Sequence, residues 1–393
     1  MSPMTNSDRI YWDHNSTTPC VAEVLAEMLP YFAVEYGNSG SPHNAGRVAA
    51  SAVAEARDRV AHAIGTDSEN VVFTSGATES NNLAILGIAA QTSERRKIVV
   101  GAIEHKSVLG PAFHLSNKGY EVRQIPVDRN GLVDLYAAET IIDGHTLLVS
   151  VQGANNETGV IQPLQDIVSL AHARGAFFHC DATQMLGKIP ISIDDSSIDM
   201  ASFSAHKAYG PKGVGALAIT SGRLRAALRP LHLGGGQERS LRPGTQNVPG
   251  IVGFGSACCL IHKELDVEIQ RLSTLRSLCE ESLLGTIGGS WVNGDCSPRL
   301  PGTLSLTIPD VPADMLMTNL PRVCIGDGAA CNSGALEPSH VLLAMGLSRT
   351  HAECTIRISL GRDSSESEIV TGCREISAAV MDLREKLADD PIL

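Results

Sequence analysis

Short apolar runs of strand length recur through the first half of the chain, at Val71 to Thr74, Ile98 to Gly101, Leu147 to Val151, Ala176 to Cys180, Met200 to Phe203 and Val214 to Ile219. Helical stretches such as Ser80 to Ala90 and Leu164 to Arg174 separate several of them. Strands alternating with helices pair in parallel, and a parallel sheet must be covered on both faces. The alternation therefore predicts an α/β fold with a mostly parallel central sheet between helices. Apolar residues at helical spacing also fill Ala22 to Tyr36 and Arg47 to Ile64, the second stretch stopping at Gly65. From Val248 to Leu284 the pattern becomes one long helix, and strand-like segments return at Gly302 to Ile308, Arg322 to Ile325 and Thr355 to Leu360. A terminal helix to about Leu387 opens with Ser365 and Glu368 at capping-box spacing. A chain of 393 residues has room for two domains. The expected division is a large domain over residues 17–260 and a smaller α+β domain built from 1–16 and 261–393.

Net charge narrows the function classes. At −12 the chain is a poor match for a phosphate backbone, whose binding needs clustered Lys and Arg, so no direct nucleic-acid binding is expected. Met1 to Arg9 lacks the apolar core of a signal peptide, and no apolar run approaches the ~20 residues that span a bilayer. A cytoplasmic protein without membrane contact is expected. The ten cysteines show no CxxC pair and no repeated metal spacing. No metal site is expected, and Cys20, Cys258, Cys259, Cys279 and Cys373 read as thiols of the core.

Three segments carry chemistry. Val71-Val-Phe-Thr-Ser-Gly-Ala-Thr-Glu reads as a strand, a small-residue turn and a helix start, where free N–H groups and the Thr78 hydroxyl make an anion seat. Taken alone, such a turn is more often an ordinary capped helix. The run Phe203-Ser-Ala-His-Lys-Ala-Tyr-Gly-Pro-Lys-Gly puts Lys207 directly after an apolar strand, where partial burial lowers an amine's pKa toward the range in which it forms a Schiff base. Lys212 fits a surface role better. Ala176-Phe-Phe-His-Cys-Asp places Asp181 at the carboxyl end of a buried strand, where open α/β sheets put their ligands. A carboxylate there calls for a cationic partner, and a protonated pyridine nitrogen is one.

The order of these motifs resembles the fold-type I pyridoxal-phosphate (PLP) enzymes, and among them the cysteine desulfurases of the NifS and IscS kind. The similarity runs from Tyr11-Trp-Asp-His-Asn-Ser-Thr-Thr-Pro through Glu104-His-Lys-Ser-Val, Ala154-Asn-Asn-Glu-Thr-Gly, Gly234-Gly-Gly-Gln-Glu-Arg and Arg242-Pro-Gly-Thr to Ala330-Cys-Asn-Ser-Gly and Arg357-Ile-Ser-Leu-Gly-Arg. The resemblance implies a PLP cofactor held by Lys207, with Asp181 on its ring nitrogen and Gln184 near its phenolic oxygen. Ala77, Thr78, Ser204 and His206 are then expected at its phosphate, joined by Thr245 from the second subunit of a homodimer. His105 is expected to stack on the ring and to move protons, and Asn156 and Arg357 to hold the substrate carboxylate, a task suited to a guanidinium. Cys331 is implied as the nucleophile that takes sulfur from L-cysteine as a persulfide, releasing alanine, for an acceptor protein in iron–sulfur assembly, tRNA thiolation or DNA phosphorothioation.

The chain departs from that family at three points. Gly326, Asp327 and Ala329 stand where a serine-rich approach to the nucleophile is common, and Asp327, if close and ionised, raises the thiol pKa. Asn38-Ser-Gly replaces Asn-Pro-Ser, and Ser204-Ala-His-Lys replaces Ser-Gly-His-Lys. The competing readings are a selenocysteine lyase, which shares the glycine-rich motifs, an aminotransferase, which needs no Cys331, and an inactive scaffold of a sulfur-transfer complex.

Overall fold

The structure, a computed structural model, describes residues 9–91, 94–327 and 337–389. After Ile10–Tyr11 (β1), seven strands build the central sheet: Val71–Thr74 (β2), Lys97–Gly101 (β3), Glu121–Ile125 (β4), Thr146–Ser150 (β5), Phe177–Asp181 (β6), Met200–Ser204 (β7) and Gly215–Ile219 (β8). Their order across the sheet is β2-β8-β7-β6-β5-β3-β4. All neighbours are parallel except β8, which runs antiparallel to both β2 and β7. The mostly parallel sheet between helices is thus the observed architecture. Its carboxyl edge collects the ends of β2, β3, β5, β6 and β7.

Side chains alternate across the sheet, as a period of two requires. Val71, Phe73, Val99, Phe178 and Phe203 pack under the helices Asn44–Ile64 and Val248–Thr286. Val72, Ile98, Val100 and Leu148 pack instead under Ala77–Ala89 and Lys106–Ser116. The helix Asn44–Ile64 ends as its sequence asks, with Gly65 at φ 65° donating its N–H to Ala61. Ala22 to Tyr36, expected as one helix, breaks at Leu29 into Ala22–Met28 and Pro30–Ala33, because Pro30 has no N–H to continue the ladder.

A second core surrounds an antiparallel sheet of Trp291–Val292 (β9), Thr303–Thr307 (β10) and Thr355–Ser359 (β12), with β1 paired in parallel to Val323–Cys324 (β11). Trp12, Leu304, Ile356 and Ile358 meet Leu272, Leu275 and Leu283 of the long helix and Ile369, Ile376 and Val380 of Glu366–Asp389. That terminal helix carries the reciprocal cap, Ser365 N–H to Glu368 Oε2 (3.0 Å) and Glu368 N–H to Ser365 Oγ (3.3 Å). Of the thiols read as core, Cys258, Cys279 and Cys373 are buried while Cys20 and Cys259 are only half-buried. Cys259 is turned out because one helical step rotates it about 100° from Cys258. No described helix is long and apolar enough to cross a membrane.

The long helix crosses Asn44–Ile64 through small residues. A Cβ at Gly255 would stand 2.7 Å from Ala56 Cα, whereas one at Gly285 in the same helix meets nothing within 4 Å. Gly285→Ala is therefore expected to raise the unfolding temperature, in line with the ~1 kcal/mol helix preference of alanine. Gly255→Ala is expected to lower it, at a cost of about 1–3 kcal/mol from overpacking. Thermal unfolding of the two variants side by side checks the pair.

Candidate active site

A cleft of about 670 Å³ opens at the carboxyl edge of the central sheet. Lys207, Asp181, Gln184, Ser204 and His206 line it from the β6 to β8 side, Ala77, Thr78, His105 and Asn156 from the segments after β2, β3 and β5, and Arg357 from β12 of the second core. Thr245 is exposed and outside it. Cys331 lies outside the described residues.

The anion seat is built where β2 turns into the helix Ala77–Ala89. Gly76 occupies the N-cap position at φ 153°, a conformation that side chains avoid, and offers no side-chain cap. Gly215 of β8 lets this turn approach the sheet, since a Cβ there would come within 2.7 Å of Gly76 Cα. The first N–H groups of the helix thus face the cleft with the positive end of its dipole. His206 stands beside them with Nδ1 3.2 Å from Thr17 Oγ1, and burial, helped by Lys207, Lys212 and Lys188, pushes its pKa down to about 4. A neutral imidazole therefore flanks the seat at physiological pH.

Asp181 closes β6. Its Oδ2 accepts from Asn81 Nδ2 (2.7 Å), and its Oδ1 accepts from the Thr183 N–H (3.1 Å) and hydroxyl (2.5 Å). Beneath it, His179 bridges Ser150 Oγ and Ser202 Oγ, its pKa pushed down to about 4 by burial. The carboxylate thus meets neutral donors and forms no ion pair among the described residues, a setting that suits a cationic ring nitrogen in the cleft. The seat, this carboxylate and Lys207 together fit the donor set of a phosphorylated pyridine aldehyde.

Lys207 follows β7 and donates to the carbonyls of Asn15 and Ser16, each at 2.6 Å. Gln184 Nε2 donates to the same Asn15 carbonyl (3.0 Å). His105 N-caps the helix Lys106–Ser116, its Nδ1 accepting from the Ser107 N–H (3.1 Å) and lying 2.7 Å from Ser107 Oγ, which fixes the tilt of the ring.

Arg357 projects from β12. Its Nη2 reaches Asp13 Oδ1 (2.5 Å) and Ser16 Oγ (2.6 Å), its Nη1 the backbone carbonyl of Asn156 (3.2 Å), and its buried Nε has no partner among the described residues. Gly326 pairs with Arg357 through backbone bonds in both directions, and a Cβ on it would fall 2.8 Å from Arg357 Nη2. The departure from serine at this position therefore keeps room for the guanidinium. Beyond the segment 328–336, Ser339 donates to Glu157, and His340 Nε2 bonds the Glu104 carbonyl (2.9 Å). Asp13, Asn15, Ser16, Lys188 and Glu157 were not singled out from the sequence. The first three sit inside the motif around Tyr11-Trp-Asp-His-Asn, which offered a signal only as a block.

The family model described as aminotransferase class-V matches residues 10–371. A cysteine desulfurase IscS of Anaeromyxobacter sp. (strain Fw109-5) is 42% identical over 378 residues, covering 96% of this chain and 93% of that relative. Another cysteine desulfurase IscS, of Rickettsia felis, is 39% identical over 389 residues, covering 98% and 95%. Among solved structures, a NifS-like protein matches with a TM-score of 0.88 and 38% identity, covering 95% of this chain and 99% of that one.

Burial lifts Glu157 from 4.5 to about 7, against the pull of Ser339 and Arg357. Folded protein then keeps a proton that the unfolded chain releases from about pH 4.5 upward, so this group subtracts stability as pH rises through that window toward 7. Glu157→Gln removes the titration. The unfolding temperature of the variant, taken relative to wild type, is expected to climb by a few degrees between about pH 5 and pH 8; a constant difference would contradict the assignment.

Proposed function

The chain belongs to the aminotransferase class-V family and is a PLP-dependent cysteine desulfurase, and from that premise we propose that Lys207 holds its cofactor and that the Cys331 thiol takes the sulfur of L-cysteine. In the net reaction the Cβ–S bond of cysteine breaks and an S–S bond to Cys331 Sγ forms. The carbon skeleton leaves as alanine with hydrogen in place of sulfur, so atoms and electrons balance without an added oxidant. When bound, the cofactor supplies a pyridinium ring that stabilises negative charge at the substrate Cα.

The protein's own groups do the rest. Ala77, Thr78, Ser204 and His206 would hold the phosphate, Asp181 the ring nitrogen, Gln184 the phenolic oxygen and His105 the ring face. Lys207 Nζ, held at the edge of the cleft by the Asn15 and Ser16 carbonyls, is placed to take the Cα proton and return it. The Arg357 guanidinium on the cleft wall suits the substrate carboxylate, with Asp13 holding Nη2 in place. The observation that carries the reading is that the amine, the carboxylate and the anion seat share one cleft with Arg357, to which Gly326 is tied. Cys331 follows Gly326 by five residues in the sequence, a length of chain that spans at most about 18 Å.

The proposal extends to a homodimer in the cytoplasm that hands its sulfur to an acceptor protein. It also takes residues 1–16 and 261–393 as the small domain carrying the nucleophile. Thr245 is exposed on its own subunit, and Phe32, Val34 and Tyr36 stand 61%, 72% and 77% exposed on the surface of the same chain, an apolar stretch suited to a second copy.

Purified protein given PLP and cysteine is expected to absorb visible light and to form alanine and sulfide in the presence of a thiol reductant. Lys207→Ala should abolish the band, and Cys331→Ser should keep it while cutting sulfur release at least a hundredfold. Sulfur release undiminished in Cys331→Ser would sink the nucleophile. Sedimentation is expected to show a dimer that Phe32→Glu weakens at least tenfold; a fully active wild-type monomer would rule the second copy out.

A further inference from the structure

Two amines meet at the base of the cleft. Lys207 Nζ rests on the Asn15 and Ser16 carbonyls, and Lys188 Nζ arrives beside it to bond Asn15 Oδ1 at 2.8 Å and Gln184 Oε1. Gln184 closes a ring of contacts, because its Nε2 donates to the same Asn15 carbonyl that receives Lys207. Asn15 Nδ2 is spent on the Asn156 carbonyl (3.1 Å) and Thr303 Oγ1 (3.0 Å). An ammonium has donors only, so neither amide can flip without turning an NH₂ group against Lys188. The two lysines also share the wall of a small void of about 30 Å³ with His14 and Tyr209.

We propose that Lys188 is a positioning residue for the cofactor lysine, holding the side-chain amides of Asn15 and Gln184 in place around the main-chain Asn15 carbonyl that receives Lys207 and setting a second cation beside it. The inference rests on the reading of Lys207 as that lysine. Burial, then Lys207 and Arg357, hold the Lys188 amine well below the usual lysine range. Donation to two amide oxygens favours the Lys188 ammonium against that burial, and a cation there disfavours positive charge on the nitrogen beside it. The other groups facing Lys188 are His14 and His206, both pushed down to about 4 and so uncharged in the working range, and Arg357. The acids nearby are Asp13, engaged by Arg357, Asp181 on the cleft, and Glu264 and Glu268 on the wall of the void.

The test is a pH titration of the visible absorption of the PLP-loaded enzyme. Lys188→Met is expected to move the midpoint upward by about half a pH unit or more, as loss of a neighbouring cation requires. Lys188→Arg keeps the charge and the donors, and its midpoint should stay at or below that of wild type. A methionine variant at or below the wild-type midpoint, or methionine and arginine variants shifting together, would overturn the inference. Should Lys188→Met fail to fold, Lys188→Gln carries the same comparison. A Lys207→Ala enzyme that retained the visible band would instead remove the premise about Lys207, leaving the two failures distinguishable.

Discussion

The site depends on how the chain accommodates one amine. Lys207 is received by the backbone carbonyls of Asn15 and Ser16, which are neutral acceptors in a fixed position. A carboxylate in their place would bind the ammonium more tightly and resist its departure. Their position is set from the second core: Trp12 is fully buried there, its carbonyl accepts from the Ser359 N–H, and the Asn15 N–H donates to Ser359 Oγ at 3.0 Å. The residues that hold the lysine of one core are therefore placed by the strands of the other.

The same segment steers the guanidinium. Asp13 and Ser16 take Nη2 of Arg357, and Asn156, which contacts Nη1, also accepts from Asn15. Lysine and arginine are thus kept apart by one short stretch of backbone, each with its own acceptors. At the other wall, charge is kept low. His179 and His206 are both neutral, and Asp181 meets neutral donors, so a ligand bearing a cationic ring and an anionic group finds complementary rather than competing charge.

Much of this was legible in the sequence. Strand runs such as Val71 to Thr74 appear at the expected residues because a strand buried on both faces is an uninterrupted apolar run. β4 was missed for the converse reason: at the edge of the sheet Glu121, Arg123 and Gln124 leave no apolar signature. The reversal of β8 was equally hidden, since strand direction leaves no trace in composition. Among site residues, Lys207 and Asp181 stood out because a charged residue directly after a buried strand is unusual. Lys188 did not, being one lysine in the turn Gly187-Lys188-Ile189, with nothing local to show that Asn15, far away in sequence, would meet it. Contacts made by backbone carbonyls are the least visible of all, as any residue can supply one.

The helix Val248–Thr286 runs unbroken for 39 residues, about 58 Å at the rise of an α-helix. Its first turns are buried against the central sheet and its last against β10 and the terminal helix. A continuous α-helix bends only gently unless a proline, a bulge or an inserted group breaks its ladder. It therefore works as a girder bolted at both ends. Any swing of one core against the other therefore has to bend this helix or unpack one of its ends.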